Sequence, residues 1–367
     1  MARQSRLLAA LAVLSVLAVV SWAAASYIEE EFSPGEPRPR PIIAPRAPHV
    51  PELADYLARL DVGQPCVYRG LAIYPLTVRG GALSGEWLAL DQALAANVLA
   101  VTEKGGGSVP TIVVENRSAT HHVFIMAGEV VTGGKQTRTI RQDVVLAPGQ
   151  RADIPVLCVE ARRWSGKAEL GASGLLVPQS IQKEMRKGAD QSAVWTEVAR
   201  NNAALGTENA TGSLEAGLKA GRVQDELAVV RKAIMPEVPR GSVGFVFAWD
   251  GKPLGAELFG RSDLARALLP KLIDAYAVDW ILQGPPPMPR PMRLEPAVAR
   301  EFLDRVRRAG SRRSGTLGSG SGIQTRAAGL VGDGVSLGDE VVHYGCQVDE
   351  RIVPLPKPRI PRRNENE

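Results

Sequence analysis

Cysteine is scarce in this chain of 367 residues: Cys66, Cys158 and Cys346 are the only ones. Three thiols allow at most one internal disulfide, so a disulfide scaffold is excluded and a hydrophobic core must hold the fold. Their spacing does not suit a thiolate zinc site. Histidine is nearly as sparse, with four residues. His121 and His122 are adjacent, so on a strand they face opposite sides and do not share one metal. The HExxH, GxGxxG and paired CxxC patterns are all missing. The chemistries those patterns serve are therefore not written here. The sequence calls for no cofactor and no metal.

A basic face is lacking too. The formal charge is only +5. Its basic residues cluster at Arg290, Arg293, Arg307, Arg308, Arg312 and Arg313, then at Lys357, Arg359, Arg362 and Arg363. Those segments read as flexible, whereas a nucleic-acid binder concentrates its charge on a folded surface. Nucleic acid is excluded as a partner, and solubility is the role assigned to the charge.

The N-terminus is the clearest positive signal. Arg3 and Arg6 precede an uncharged run from Leu7 to Val20, and Ala23-Ala24-Ala25 follows. A basic start, an apolar core and small residues at a cleavage site define a signal peptide over residues 1–25. The competing reading is an uncleaved anchor, because the uncharged stretch runs from Leu7 to Ala25. A spanning helix needs about 17–25 such residues. The short, alanine-rich core favours cleavage. Either way the protein is exported, and is periplasmic, extracellular or membrane-anchored. No Cys follows the run, which argues against a lipoprotein.

With 45% hydrophobic residues the remainder can bury a sizeable core. Residues 26–52 form a Pro/Arg-rich linker, since Pro37 to Pro41 favours extended polyproline backbone. Residues 53–355 read as a single α+β domain. Its N-terminal half is β-rich, with short β-branched segments separated by Gly, Pro and Asn turns, as in a sandwich or open barrel. The strand candidates are residues 66–76, 86–90, 98–103, 110–115, 123–126, 129–132, 136–146 and 152–159. The period then becomes helical. Asp190, Ser213 and Ser262 are candidate N-caps, and Leu264, Leu268, Leu272, Tyr276 and Trp280 make an apolar stripe. Asp250-Gly251 predicts a hairpin turn between two strands. Pro296 opens a further helix. Residues 309–322, rich in Gly, Ser and Arg, read as a mobile insert. Residues 341–348 form a late strand that joins the domain into one if it returns to the first sheet. Residues 356–367 are a basic disordered tail.

The densest polar stretch is residues 127–141. Gly133 and Gly134 allow positive φ and close approach, and Lys135 follows at once. Backbone N–H groups of such a turn beside a Lys suit an oxyanion. On a strand, Lys135 and Arg141 share one face, Gln136 and Arg138 the other. The phosphate-loop spacing is not met: it is one residue too long from Gly128, and Gln136 stands where Ser or Thr would bind magnesium. The plain alternative is a Gly-Gly hairpin with solvated basic residues. The second stretch, residues 154–164, places Glu160 at a strand end, able to pair with Arg163, Lys135 or Arg138. Cys158 sits there among apolar residues as a buried thiol, and a thiol function is the weakest option. His343 stands between Val342 and Tyr344 as a satisfied sheet histidine. A general-base role would need a carboxylate or nucleophile within reach.

Together these segments resemble the domain found associated with ADP-ribosylglycohydrolases and rhodanese-phosphatases. The residues that carry the likeness are Tyr68-Arg69-Gly70-Leu71 with Tyr74-Pro75-Leu76, and Leu90-Asp91-Gln92-Ala93. Val109-Pro110 to Asn116-Arg117 and Gly128-Glu129 through Gly134-Lys135-Gln136 to Arg138 continue it. Cys158-Val159-Glu160 with Arg163-Trp164, then Asp190-Gln191 with Trp195, complete it. The resemblance implies a role near NAD-derived or nucleotide-like metabolites, and the first reading is a domain that binds or processes a small anionic, ADP-ribose- or nucleotide-like ligand. The resemblance points to Glu129 and Glu160 as candidate catalytic or orienting carboxylates. Gly133, Gly134, Lys135, Gln136, Arg138 and Arg163 are the candidate ligand-binding residues. The rival is a non-catalytic envelope module whose charged motifs are internal ion pairs.

Overall fold

Leu71–Val78 is buried from Leu71 through Leu76, with no alternation of inside and outside. A strand buried on both faces must lie between two layers. The computed structural model, which describes residues 49–81, 83–105, 110–283, 294–327 and 329–349, shows those layers. Leu71–Val78 belongs to a nine-stranded antiparallel sheet. Its order runs Leu60–Val62, Leu71–Val78, Gly244–Trp249, Lys252–Phe259, Glu340–Val348, Leu330–Leu337, Ser321–Ala327 and Arg312–Ser314, with Cys66–Tyr68 also on Leu71–Val78.

One face of this sheet is covered by the helices Pro51–Ala58 and Pro296–Ala309. Val298, Phe302 and Val306 pack there in one cluster with Tyr74, Val246 and Leu258. On the other face Ile73, Phe245, Phe247 and Phe259 cluster with Leu264, Leu268, Leu272 and Tyr276 of the long helix Ser262–Gln283. The rings of Phe247 and Tyr276 stack with centroids 3.7 Å apart. That predicted stripe is therefore core.

Two smaller sheets build the rest of the β-rich half. One has four strands, Glu86–Ala89, His121–Ile125, Val144–Leu146 and Leu317–Gly318. The other has six, in the order Gly171–Leu176, Glu129–Thr132, Arg138–Ile140, Arg151–Cys158, Thr111–Asn116 and Leu99–Glu103. They enclose their own cluster, with Ile112, Val123, Val131, Ile140, Val144 and Ile154 at its centre. The class is α+β, with helices concentrated in the C-terminal half.

Local chemistry explains the boundaries. Asp250 and Gly251 both take positive φ, 48° and 71°, and turn the hairpin between Gly244–Trp249 and Lys252–Phe259. Asp190 caps the helix Gln191–Leu205, its side chain accepting from the Ala193 N–H. Ser213 caps Leu214–Leu218 in the same way through Ala216. Glu340–Val348 pairs with Lys252–Phe259 from Gly255↔Gln347 to Phe259↔His343, so the late strand does return to the sheet begun near residue 60.

Several expectations need correction. Residues 309–322 are not one loop: Arg312–Ser314 and Leu317–Gly318 are strands, fixed by pairing with Ser321–Ala327 and Val144–Leu146. Residues 136–146 are two strands, because the backbone breaks at Asp143, whose side chain accepts from the Ala127 N–H. The first helix starts at Pro51, just inside the span read as linker. The signal segment from Leu7 to Ala25, the Pro37 to Pro41 stretch and the 356–367 tail lie outside the described residues. Among the described residues no helix is long and apolar enough to cross a membrane.

Candidate functional site

The structure gathers seven of the eight predicted site residues around one turn. Gly133 has φ +105°, and a Cβ there would meet the Glu169 carbonyl. Next to it, a Cβ on Gly134 would lie 2.7 Å from Glu103 Oε1. That oxygen accepts from the Lys135 N–H at 2.7 Å and from Arg138 Nη2 at 3.1 Å. Arg138 is fully buried, with its Nη1 3.7 Å from Cys158 Sγ. Arg163 pairs with Glu160 at 2.8 Å and donates to the Gly134 carbonyl at 2.7 Å. Gln136 donates to the Glu160 carbonyl, and Thr137 gives Glu160 both its N–H and its hydroxyl. Burial pushes the Glu160 carboxyl up, but the bonds from Arg163 and Thr137 outweigh it and hold the group below its ordinary value. Lys135 Nζ lies 5.6 Å over the Trp164 ring.

Glu129 makes its contacts elsewhere. It is buried, 2.7 Å from Lys271 Nζ, and accepts from the Met126 N–H at 2.8 Å. Lys271 also reaches Asp91 at 2.7 Å. Burial raises the Glu129 carboxyl against the pull of Lys271. All eight predicted residues thus serve ion pairs, turns or backbone bonds.

None of these eight residues lines a cavity of about 220 Å³. Its wall joins the helix Gln179–Arg186, residues 141–143 and the strands Ser321–Ala327 and Leu330–Leu337. Charged residues of that wall are Arg141, Asp143, Arg186, Arg326 and Asp333. Arg186 is 8% exposed. Its Nη2 contacts Glu257 at 3.2 and 3.3 Å, while its buried Nη1 has no hydrogen-bond partner among the described residues. Arg326 holds Asp333 with 2.9 Å to each oxygen and also donates to the carbonyls of Gly332 and Arg186. Arg141 is exposed.

Behind the wall runs a chain of buried charges. Asp143 Oδ2 is 2.6 Å from His343 Nδ1, and His343 Nε2 is 3.1 Å from Glu257 Oε2. Glu257 in turn binds Arg186 and takes a 3.4 Å bond from the Tyr276 hydroxyl. Burial disfavours the imidazolium, but Asp143 and Glu257 together prevail and lift His343 to about 9. His343 is therefore a cation at neutral pH, with both ring nitrogens donating. A ring so engaged has no free nitrogen to act as a base. The arrangement suits holding a charge rather than moving a proton.

Of this constellation, the sequence reading singled out His343 and Arg141. Arg186, Asp143, Glu257, Arg326 and Asp333 were missed. A signal existed: Glu257 interrupts Gly-Ala-Glu-Leu-Phe, and Asp333 interrupts Val-Gly-Asp-Gly-Val. A charge inside an apolar strand demands a buried partner.

No match was found among curated proteins or among solved structures. A family model does match residues 59–346, a span that includes the whole cavity wall and both ion-pair clusters. The chain belongs to the ARPP-1 family, the ARG and Rhodanese-Phosphatase-superfamily-associated Protein domain.

Proposed function

We propose that this is an exported binding protein that holds a small anionic ligand, nucleotide- or ADP-ribose-like in its charged part, in the Arg186 cavity. One observation carries the reading. A guanidinium nitrogen is buried without a partner among the described residues, on a side chain that lines a cavity. Buried polar groups are almost always satisfied, and a charged one left bare is costly. An oxyanion supplies the missing acceptor in a charge-assisted bond. Of the wall's three guanidinium groups, Arg186 is held by Glu257 and Arg326 by Asp333, which leaves Arg141 as the exposed one.

The volume sets the scale. Ligand pockets usually span about 300–1,000 Å³. At about 220 Å³ the cavity takes a compact molecule or the anionic end of a larger one. Export rests on the basic start, the apolar run and Ala23-Ala24-Ala25. Calorimetric titration of the purified protein against inorganic phosphate, AMP and ADP-ribose tests the reading. Binding that is lost in Arg186→Gln supports it. Absence of heat with every anion, together with an unchanged melting temperature, overturns it.

A second reading has its own support. The Glu103–Arg138, Glu160–Arg163 and Glu129–Lys271 pairs are what a non-catalytic envelope module with internal ion pairs would contain. In that reading Glu160→Ala lowers the melting temperature strongly and no anion raises it.

A further inference from the structure

We propose that the ligand of the Arg186 cavity is a sugar phosphate, whose hydroxyls bind the wall's carboxylates while its phosphate binds the guanidinium groups. The proposal rests on the anion reading above and adds to it what the rest of the wall requires. Besides Arg141 and Arg186, the cavity presents Asp143 and Asp333, the amides of Gln182 and Gln324, and the hydroxyls of Ser314 and Thr316. A bare oxyanion has only acceptors, so it gains nothing from a carboxylate and is repelled by it. The two Asp residues make sense for a ligand that also brings hydrogen-bond donors.

Donors come as hydroxyls or as an ammonium group, and the structure separates the two. Asp333 is already held by Arg326 through both oxygens, and Asp143 by the His343 cation. Each carboxylate is thus charge-compensated, and a second full cation adds little. Yet an ionised carboxylate offers about four lone-pair sites. Among the described residues Asp333 accepts from two nitrogens on Oδ1 and one on Oδ2. Asp143 accepts from one nitrogen on each oxygen. Acceptor capacity remains for neutral hydroxyls on both.

Space agrees. The cavity's 220 Å³ is many times the roughly 10–15 Å³ that a cavity needs to hold one water. A phosphate group alone would leave much of it unfilled. The donors left for the phosphate are Arg186 Nη1 and the rest of the exposed Arg141 side chain, whose Nη2 donates to the Ala189 carbonyl at 3.4 Å, since Arg326 is committed to Asp333 and to backbone carbonyls.

The test is calorimetry on the full chain with inorganic phosphate, ribose, ribose 5-phosphate and serine. Ribose 5-phosphate is expected to bind about tenfold or more tighter than phosphate, a gap of roughly 1.4 kcal/mol. Ribose and serine should give no measurable heat. Asp333→Asn should abolish the advantage of the sugar phosphate while leaving phosphate binding in place. Arg141→Gln, at an exposed side chain, should weaken both phosphate ligands, and it keeps the test readable if Asp333→Asn does not fold. Equal affinity for phosphate and ribose 5-phosphate would overturn the sugar proposal and leave the anion reading standing. Tight binding of serine would replace it with a zwitterion site. No heat from any phosphate would bring down the anion reading itself.

Discussion

Gly345 has no side chain where the Arg186 guanidinium lies: a Cβ there would fall far inside van der Waals contact with Arg186 Nη2 and with Glu257 Oε2. The glycine is what lets the buried pair cross the strand Glu340–Val348. Its φ is not positive, so space and not backbone freedom fixes the residue. Gly345→Ala is therefore expected to displace Arg186. Overpacking of this kind costs about 1–3 kcal/mol. Thermal melting should fall accordingly, and anion binding should be lost with it. A melting temperature equal to the wild type would show that the pair does not need that space.

Stability should fall as pH rises from about 6.5 to about 9. His343 has its folded value raised to about 9 from an ordinary 6.5. The folded chain therefore keeps a proton that the unfolded chain releases in this window. A raised value stabilises fully below about 6.5, and the gain disappears as pH climbs through the folded value. At about 1.4 kcal/mol per unit the effect is on the order of 3 kcal/mol. Denaturant unfolding between pH 6 and 9 measures it, and His343→Gln should flatten the slope. Cys346, pushed up to about 12 by burial, adds a loss of the same sign only above about pH 9.

Lys271 sits between Glu129 and Asp91, 2.7 Å from each. Its own value is raised, because the two carboxylates outweigh burial. Lys271→Met leaves the buried Glu129 carboxyl without its cation. Removing one partner of a buried pair costs roughly 3–5 kcal/mol. The half-exposed Asp91 loses little, since water replaces its partner. Glu129→Leu in the same chain should recover most of the loss, because the uncompensated carboxyl is gone. Chemical denaturation of the two single variants and the double variant gives the coupling directly. Additive losses would show that the pair is not coupled.

How far the sequence reached depends on the range of each interaction. The caps at Asp190 and Ser213, the turn at Asp250-Gly251 and the stripe from Leu264 to Tyr276 are all set by neighbours within a few residues. Each was legible. The strands Gly171–Leu176, Ser321–Ala327 and Leu330–Leu337 were not, because Gly174, Gly322, Gly332 and Gly334 dilute their alternation. Pairing across the sheet decides those segments. The cavity wall was illegible for the same reason. Asp143 and His343 are 200 residues apart, Arg186 and Glu257 71 apart, and nothing local in either stretch names its partner. The stretch from Gly133 to Arg163 drew notice because its charges are dense in sequence, yet that density supplies ion pairs to the turn itself.

The three thiols should be inert in the native protein. Cys66, Cys158 and Cys346 are all buried and unpaired. Burial raises each of them. At Cys158 the nearby Arg138 pulls the other way, since a guanidinium favours the thiolate, but Glu103 and Glu160 offset part of that pull. Alkylation needs both the thiolate and a path for the reagent, and each site denies both. Incubation of the folded chain with iodoacetamide at pH 8, followed by intact mass measurement, should show no adduct, while the same treatment in guanidinium chloride should add three. Rapid single labelling of native protein, mapped to Cys158, would mean that the Arg138 side opens to solvent. It would also restore a thiol role at the edge of the Gly133-Gly134 turn.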